Sequence, residues 1–224
     1  MLDTTGHLRF SDTTLRDGEQ APGVVFSLTD KLRLAAALDA LGVDEAEVGS
    51  SAMGVEERAG LRALAGQGYA MRLSCWCRAA EEDVFYAVKA GILTVNVSYP
   101  VSDILLASMD RCRDWVFRHL DTVLAFAAHA GCAYSVGLQD AARADPAFLA
   151  EVVRRAADLG AFRVRVADSA GVLNPFTAAA LVTRVRAAAP GLALSFHAHN
   201  DLGMAVANTL AAAQAGADTL DCTV

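Results

Sequence analysis

The sequence predicts an α/β protein folded as a TIM (β/α)8 barrel, and three observations support this prediction. Short runs of β-type residues recur along the chain, and amphipathic helical segments separate them. This alternation predicts a parallel sheet, because neighbouring parallel strands need a crossover connection between them. The length of 224 residues is close to the roughly 250 residues that are typical of such a barrel.

Eight segments have the composition of strands, and a helical pattern or a turn separates each from the next. They lie at residues 8–12, 45–49, 71–76, 94–98, 134–137, 163–167, 193–197 and 219–224. Because the eighth strand reaches the end of the chain, no eighth helix follows it. We therefore expect residues 1–224 to form a single catalytic barrel domain that is incomplete at its C-terminus.

The first helix shows an apolar stripe with recognisable ends. Leu34, Leu38 and Leu41 recur with helical spacing after Thr29, which is a candidate N-cap. Gly42 follows directly and fits the position just beyond a helix end.

Two later helices begin at an Asx-Pro pair. Asp145 and Pro146 open one, which Gly160 ends, and Asn174 and Pro175 open the other. A side-chain acceptor before a proline at the first helical position is a strong signal for a helix start.

Composition excludes several classes of function. A net charge of −7 argues against a nucleic acid as partner. No apolar run reaches the roughly 18 residues of a membrane span, and the first ten residues lack the pattern of a secretion signal. The five cysteines form neither an even disulfide framework nor paired zinc knuckles, so we expect reduced thiols in the cytoplasm. Cys75 and Cys77 are predicted to be core residues rather than ligands.

Reactive groups in a TIM barrel lie at the carboxyl ends of the strands. After the first strand, Arg16 and Asp17 stand beside a glycine turn and are either functional or ordinary solvated residues. Glu47, in the second strand, lies either on an exposed face or inside the barrel. A buried carboxylate needs a partner, and Arg16 from the neighbouring strand end could provide it.

His197 and His199 provide the most specific signal. Two residues apart on a strand, their rings point the same way. With a carboxylate such as Asp17 they would form a facial site for a divalent ion, either magnesium, manganese or zinc. The alternative is two ordinary polar residues at a strand end.

These motifs together resemble the DRE-TIM metallolyase superfamily, which includes 2-isopropylmalate synthase, homocitrate synthase and hydroxymethylglutaryl-CoA lyase. The resemblance covers about residues 10–224. It is carried by Asp12-Thr-Thr-Leu-Arg-Asp-Gly-Glu-Gln20, Glu47-Val-Gly with Ala52-Met-Gly54, and His197-Ala-His-Asn-Asp-Leu-Gly-Met204. The segments Trp76-Cys-Arg78, Pro100-Val-Ser-Asp103 and Ala207-Asn-Thr-Leu-Ala-Ala212 look closest to nitrogenase-type homocitrate synthase.

The resemblance implies a metal centre and a charged catalytic set. Asp17, His197 and His199 would ligate the metal. Arg16 and Glu47 would complete the Asp-Arg-Glu set, with Arg16 placed to stabilise enolate or carbonyl charge.

Besides Arg16, which would also bind substrate, the resemblance implies three substrate contacts. Gln20 looks like a substrate contact, and Arg143 matches a contact to the carboxylate of a 2-oxo acid, for which a guanidinium is well shaped. Ser169 replaces the threonine that is usual in the family and keeps its hydroxyl.

The implied activity is a metal-dependent Claisen-type condensation of acetyl-CoA with a 2-oxo acid. The homocitrate-synthase-like reaction uses 2-oxoglutarate. The alternatives are the synthesis of 2-isopropylmalate, citramalate or another alkylmalate.

Two departures from the family pattern favour a further alternative. Gln139 stands at a catalytic position where the family has glutamate, and an amide cannot accept a proton as a carboxylate does. The family also continues after the eighth strand with a loop that supplies a metal-coordinating asparagine, and with a C-terminal subdomain that supplies a catalytic histidine. The alternative is that the chain is a metal-binding subunit of a split enzyme and is inactive without its partner. We expect either a homodimer or association with a chain that supplies the missing part.

Overall fold

Eight parallel strands pair in chain order in the computed structural model, which describes residues 8–224. The eighth strand hydrogen-bonds the first and closes the barrel. The strands are β1 (Arg9–Asp12), β2 (Glu45–Ser50), β3 (Arg72–Arg78), β4 (Thr94–Pro100), β5 (Ala133–Gln139), β6 (Arg163–Asp168), β7 (Ala193–Ala198) and β8 (Thr219–Cys222). The predicted TIM barrel is confirmed, and each predicted strand overlaps an observed one. The predicted lack of a secretion signal rests mostly on residues 1–7, which lie outside the described residues.

Seven crossover helices cover the barrel, and one short helix precedes the crossover between β4 and β5. The helices are α1 (Leu28–Leu41), α2 (Val55–Ala65), α3 (Glu81–Lys89), α4 (Asp103–Ser108), α5 (Arg113–His129), α6 (Pro146–Asp158), α7 (Pro175–Ala188) and α8 (Ala205–Gln214). Within residues 8–224 no helix follows β8, as the sequence predicted. In the same part of the chain, no helix has the length and apolar character needed to cross a bilayer.

The start of α1 differs from the prediction. Ser27 rather than Thr29 is the N-cap: its hydroxyl accepts from the Asp30 amide at 3.2 Å, and the Asp30 carboxylate accepts from the Ser27 amide at 3.0 Å. This reciprocal capping box needs an acceptor side chain three residues after the cap, and Thr29 has Leu32 there. Leu41, which the helical spacing places on the apolar stripe, is 75% exposed. The predicted end is confirmed, because Gly42 has φ +79°.

The predicted starts of α6 and α7 are confirmed. The Asp145 carboxylate accepts from the Phe148 amide at 2.9 Å, and the Asn174 side chain accepts from two amides of the first turn of α7. In both helices a proline occupies the first turn, where no intrahelical amide donor is needed.

Apolar and polar residues alternate along the strands, and this alternation separates the two sides of the barrel wall. On β4, Val95 and Val97 belong to the hydrophobic core shared with the helices, whereas Asn96 and Ser98 line a cavity inside the barrel. Cys75 and Cys77 are fully buried in that core, as predicted. The face of β4 that points into the barrel is therefore polar.

Candidate metal centre at the carboxyl end of the barrel

A cavity of about 370 Å³ opens where the strands end. It is lined by residues of β2 to β7 and by the loops that follow several of these strands and β1. Among the lining residues are seven that the sequence had singled out, namely Arg16, Asp17, Gln20, Gln139, Ser169, His197 and His199. The position agrees with the rule that TIM barrels place their reactive groups at this end.

Three side chains converge in this cavity. Oδ2 of Asp17 lies 3.2 Å from Nε2 of His197 and 3.7 Å from Nε2 of His199, and the two Nε2 atoms are 3.2 Å apart. For metal–ligand bonds of about 2.1 Å, adjacent ligand atoms on one octahedral ion lie about 3 Å apart. The donor set of one carboxylate and two imidazoles therefore fits a divalent ion.

The facing imidazoles support the same interpretation. Only one of two nitrogens 3.2 Å apart can carry a proton toward the other. Nδ1 of His197 lies 2.9 Å from Oδ2 of Asp221, and this hydrogen bond assigns the proton to Nδ1. In neutral His197 the lone pair of Nε2 then faces His199 and Asp17, and a metal ion bound there would take the place of the proton that Nε2 of protonated His197 donates to Asp17.

Electrostatics keeps Asp17 ionised. Burial would raise the pKa of Asp17, but the hydrogen bond with His197 and the charges of Arg16 and both histidines hold it well below its ordinary value. Burial would lower the pKa of His197, whereas hydrogen bonds with Asp17 and Asp221 raise it above its ordinary value. Asp17 therefore provides an ionised carboxylate at the point where a cation would be bound.

Glu47 lies inside the barrel and is paired with Arg16. Its side chain is fully buried, and Oε1 lies 2.5 Å from Nε of Arg16, whose Nη1 lies 2.5 Å from Oδ1 of Asp17. Burial would raise the pKa of Glu47, but the charges of Arg16 and Arg165 lower it below its ordinary value. The interpretation of Glu47 as a residue of an exposed face is wrong, and the predicted partner is the observed one.

Two residues of this network were missed from the sequence. Arg165, on β6, contacts Glu47 at 2.6 Å and Asp221 at 2.9 Å, and all three side chains are buried. The available signal was an alternation of charged and apolar residues in β6 and β8, which places Arg165 and Asp221 inside a polar barrel.

Like Glu47, Arg143 is a predicted site residue that does not line this cavity. Its guanidinium binds Asp140 with two nitrogens at 2.8 Å, and its side chain is 40% exposed. The hydroxyl of Ser169 accepts from the Asp140 amide at 2.9 Å. The buried Asp140 thus holds Arg143 beside the cavity rather than in its wall.

The sequence is similar to several enzymes of known name. It is 44% identical to the homocitrate synthase of Frankia alni, covering 100% of this chain and 64% of that protein. Identity is 36% to the homocitrate synthase subunit alpha of Clostridium pasteurianum, with 95% of this chain and 79% of that one covered. Identity is 39% to 2-isopropylmalate synthase 2 of Caldanaerobacter subterraneus, and the match covers 95% of this chain and 56% of that protein. The chain thus spans less than two thirds of the first and third of these relatives.

The fold is shared with solved structures of lower sequence identity. The hydroxymethylglutaryl-CoA lyase of Pseudomonas aeruginosa superposes with a TM-score of 0.85 at 24% identity, over 97% of this chain and 76% of that one. Residues 7–224 match the HMGL-like family. With both the fold and nearly the whole length in agreement, the chain belongs to the HMGL-like family.

Proposed function

We propose that the chain is the metal-binding barrel of an enzyme that condenses acetyl-CoA with a 2-oxo acid. The homocitrate-synthase-like reaction joins acetyl-CoA and 2-oxoglutarate, and hydrolysis of the thioester releases CoA. The observation that carries this proposal is the convergence of Asp17, His197 and His199 on one point of the cavity. The names of the relatives at 44% and 36% identity support the choice of reaction.

Asp17, His197 and His199 would hold a magnesium, manganese or zinc ion. Such an ion supplies a Lewis acid for the carbonyl group of the 2-oxo acid. The three side chains also line the cavity, so substrate atoms in the cavity could reach the open side of the ion that they would hold.

Arg16 would offset the negative charge that develops on oxygen during the condensation. Its guanidinium lines the cavity and is fixed by Glu47 and Asp17, so it needs little reorganisation when charge develops. Gln20 and Ser169 would donate hydrogen bonds to the bound 2-oxo acid. A contact between Arg143 and a substrate carboxylate stays a prediction that requires Arg143 to turn away from Asp140.

The cavity offers no spare base for removing a proton from acetyl-CoA. Among its lining residues in the described part of the chain, the groups that can accept a proton are the three candidate metal ligands. Gln139 lies in the cavity wall but is an amide. This observation favours the second candidate function, a metal-binding subunit or barrel whose base comes from elsewhere.

The missing base would come from a second copy of the chain, from a different subunit, or from a further part of the same protein. The name of the Clostridium pasteurianum relative, a subunit alpha, supports a split arrangement. Cytoplasmic localisation also stays a prediction, which the free cysteines among the described residues favour.

Thiol release from acetyl-CoA tests the proposal. The purified chain is assayed with manganese and with 2-oxoglutarate, 2-oxoisovalerate or pyruvate in turn. Turnover with 2-oxoglutarate alone would support the homocitrate reaction, whereas preference for 2-oxoisovalerate or pyruvate would support the isopropylmalate or citramalate alternative. Manganese binding without turnover would support the subunit, and failure to bind any divalent ion would contradict both candidates.

A further inference from the structure

A buried lysine lies between two carboxylates beside the candidate metal centre. Lys31, on α1, is 6% exposed. Its Nζ lies 2.7 Å from Oε2 of Glu19 and 2.8 Å from Oε2 of Glu57. Burial would lower the pKa of Lys31, but hydrogen bonds with both carboxylates raise it above its ordinary value. The ammonium group therefore stays charged and joins two segments that are distant in sequence.

Glu19 connects Lys31 to the loop that follows β1. It lies in a short 3₁₀ turn, Gly18–Gln20, two residues after Asp17 and directly before Gln20. Its second oxygen, Oε1, accepts a hydrogen bond from the Phe26 amide at 3.3 Å. The carboxylate thus joins the 3₁₀ turn to the end of the loop, and the cavity residues Arg16, Asp17 and Gln20 lie within three residues of it.

Glu57 connects Lys31 to the end of β2. Oε1 of Glu57 accepts a hydrogen bond from the Ser50 amide at 3.3 Å. A Cβ added to the preceding residue, Gly49, would lie 2.1 Å from that same oxygen and would displace it. Ser50 lies three residues after Glu47, the partner of Arg16. Two sets of contacts therefore join β2 to the loop that follows β1. One is the Arg16–Glu47 pair inside the barrel, and the other is Lys31 with its two glutamates.

We propose that Lys31 is a positioning residue that, through Glu19 and Glu57, holds Arg16 and Asp17 in the candidate metal centre. The role is indirect, since none of Lys31, Glu19 and Glu57 lines the cavity. An effect of Lys31 on metal affinity rests on the proposed function. An effect of Lys31 on the order of the loop that follows β1 does not.

Two neighbouring glutamates of α2 give a matched test. Glu57→Gln removes one charge from the cluster, and Glu56→Gln changes an exposed residue of the same helix. In metal-free protein, amide hydrogen exchange over residues 13–27 is expected to become about tenfold faster in Glu57→Gln, and to stay unchanged in Glu56→Gln. In a manganese titration, the dissociation constant is expected to rise about tenfold in Glu57→Gln only.

Substitutions of the lysine provide the second arm. Lys31→Met is expected to speed exchange in the same segment, and Lys31→Arg to keep it slow, because arginine retains a cation that can contact both carboxylates. Unchanged exchange of the β1 loop in Glu57→Gln would overturn the proposal, as would an increase spread evenly over the barrel. If Lys31→Met does not fold, Glu57→Gln decides. If the unmodified chain binds no manganese, the proposed function fails while exchange still decides the role of Lys31.

Discussion

Oδ2 of Asp221 lies 2.9 Å from Nδ1 of His197, and this contact joins the candidate metal centre to the charged interior of the barrel. The Asp221 side chain is 2% exposed, and its Oδ2 also lies 2.9 Å from Nε of Arg165. Arg165 in turn contacts Glu47 at 2.6 Å, and Glu47 holds Arg16. One chain of buried contacts therefore orients both a candidate ligand and the arginine of the cavity.

Replacing Asp221 should weaken metal binding although it is not a ligand. Asp221→Asn keeps the size and a hydrogen-bond acceptor, but it removes the charge that orients His197 and balances Arg165. We expect the dissociation constant for manganese to rise about 10- to 100-fold, measured by titration of the metal-free chain. Asp158→Asn, at an exposed position, is the control. Equal affinity in both variants would contradict a role for Asp221.

Removing the metal should lower thermal stability. An ion that binds only the folded chain stabilises it by about 2.7 kcal/mol when present at about 100 times its dissociation constant. Melting of the chelator-treated chain with and without manganese measures this effect. His199→Gln is expected to abolish the stabilisation, whereas His129→Gln, at an exposed position of α5, should retain it. A manganese shift of equal size in His199→Gln would place the ion elsewhere.

The sequence predicted the barrel well because its signals are local. Strands appear as short β-type runs, and prolines and glycines mark helix ends, as at Pro146 and Gly42. The start of α1 failed for an equally local reason. Ser27 and Thr29 are both acceptable caps, and Asp30 three residues after Ser27 decides between them.

The candidate site was predicted in part. Asp17, His197 and His199 stand at strand ends, where the fold itself brings side chains together. The partners of Arg165 and Asp221 could not be predicted in the same way. The sequence shows that a charged residue lies within a strand, but it does not show which residue on another strand the side chain contacts across the barrel. That depends on strand tilt and stagger. Arg143 was placed by resemblance, and its pairing with Asp140 depends on a loop conformation in which Asp140 has φ +60°.

The ion pair at the opposite end of the barrel should affect stability without affecting the metal. Nη2 of Arg163 lies 2.7 Å from Oε1 of Glu45, and their side chains are 5% and 4% exposed. Arg163→Met leaves a buried carboxylate unpaired, which typically costs about 3–5 kcal/mol. Urea unfolding measures the loss, and manganese affinity should stay within about twofold of the unmodified value, because the direct contacts of Arg16 and His197 are with Glu47, Asp17 and Asp221.

The double variant Glu45→Met, Arg163→Met provides the control for that prediction. It removes both charges, so most of the lost stability should return. A double variant as unstable as Arg163→Met alone would show that lost packing, rather than an unpaired charge, causes the effect.

Gly137, on β5, is expected to set the space available to the 2-oxo acid. A Cβ at this position would lie 2.9 Å from Oγ of Ser98 and 3.2 Å from Nδ2 of Asn96, and all three residues line or border the cavity. Gly137→Ala should displace these polar groups of the cavity wall. We expect affinity for 2-oxoglutarate to fall about tenfold, which corresponds to about 1.4 kcal/mol, measured by calorimetry with manganese present.

Manganese affinity should not change in Gly137→Ala, because the residue makes no contact with the three candidate ligands. Gly191→Ala is the matched control: a Cβ there meets no atom within 4 Å, so binding of both metal and 2-oxo acid should match the unmodified chain. A substitution at Gly137 that weakens manganese as much as 2-oxoglutarate would mean that the barrel as a whole had shifted. Unchanged 2-oxoglutarate affinity would instead place the substrate away from β4 and β5.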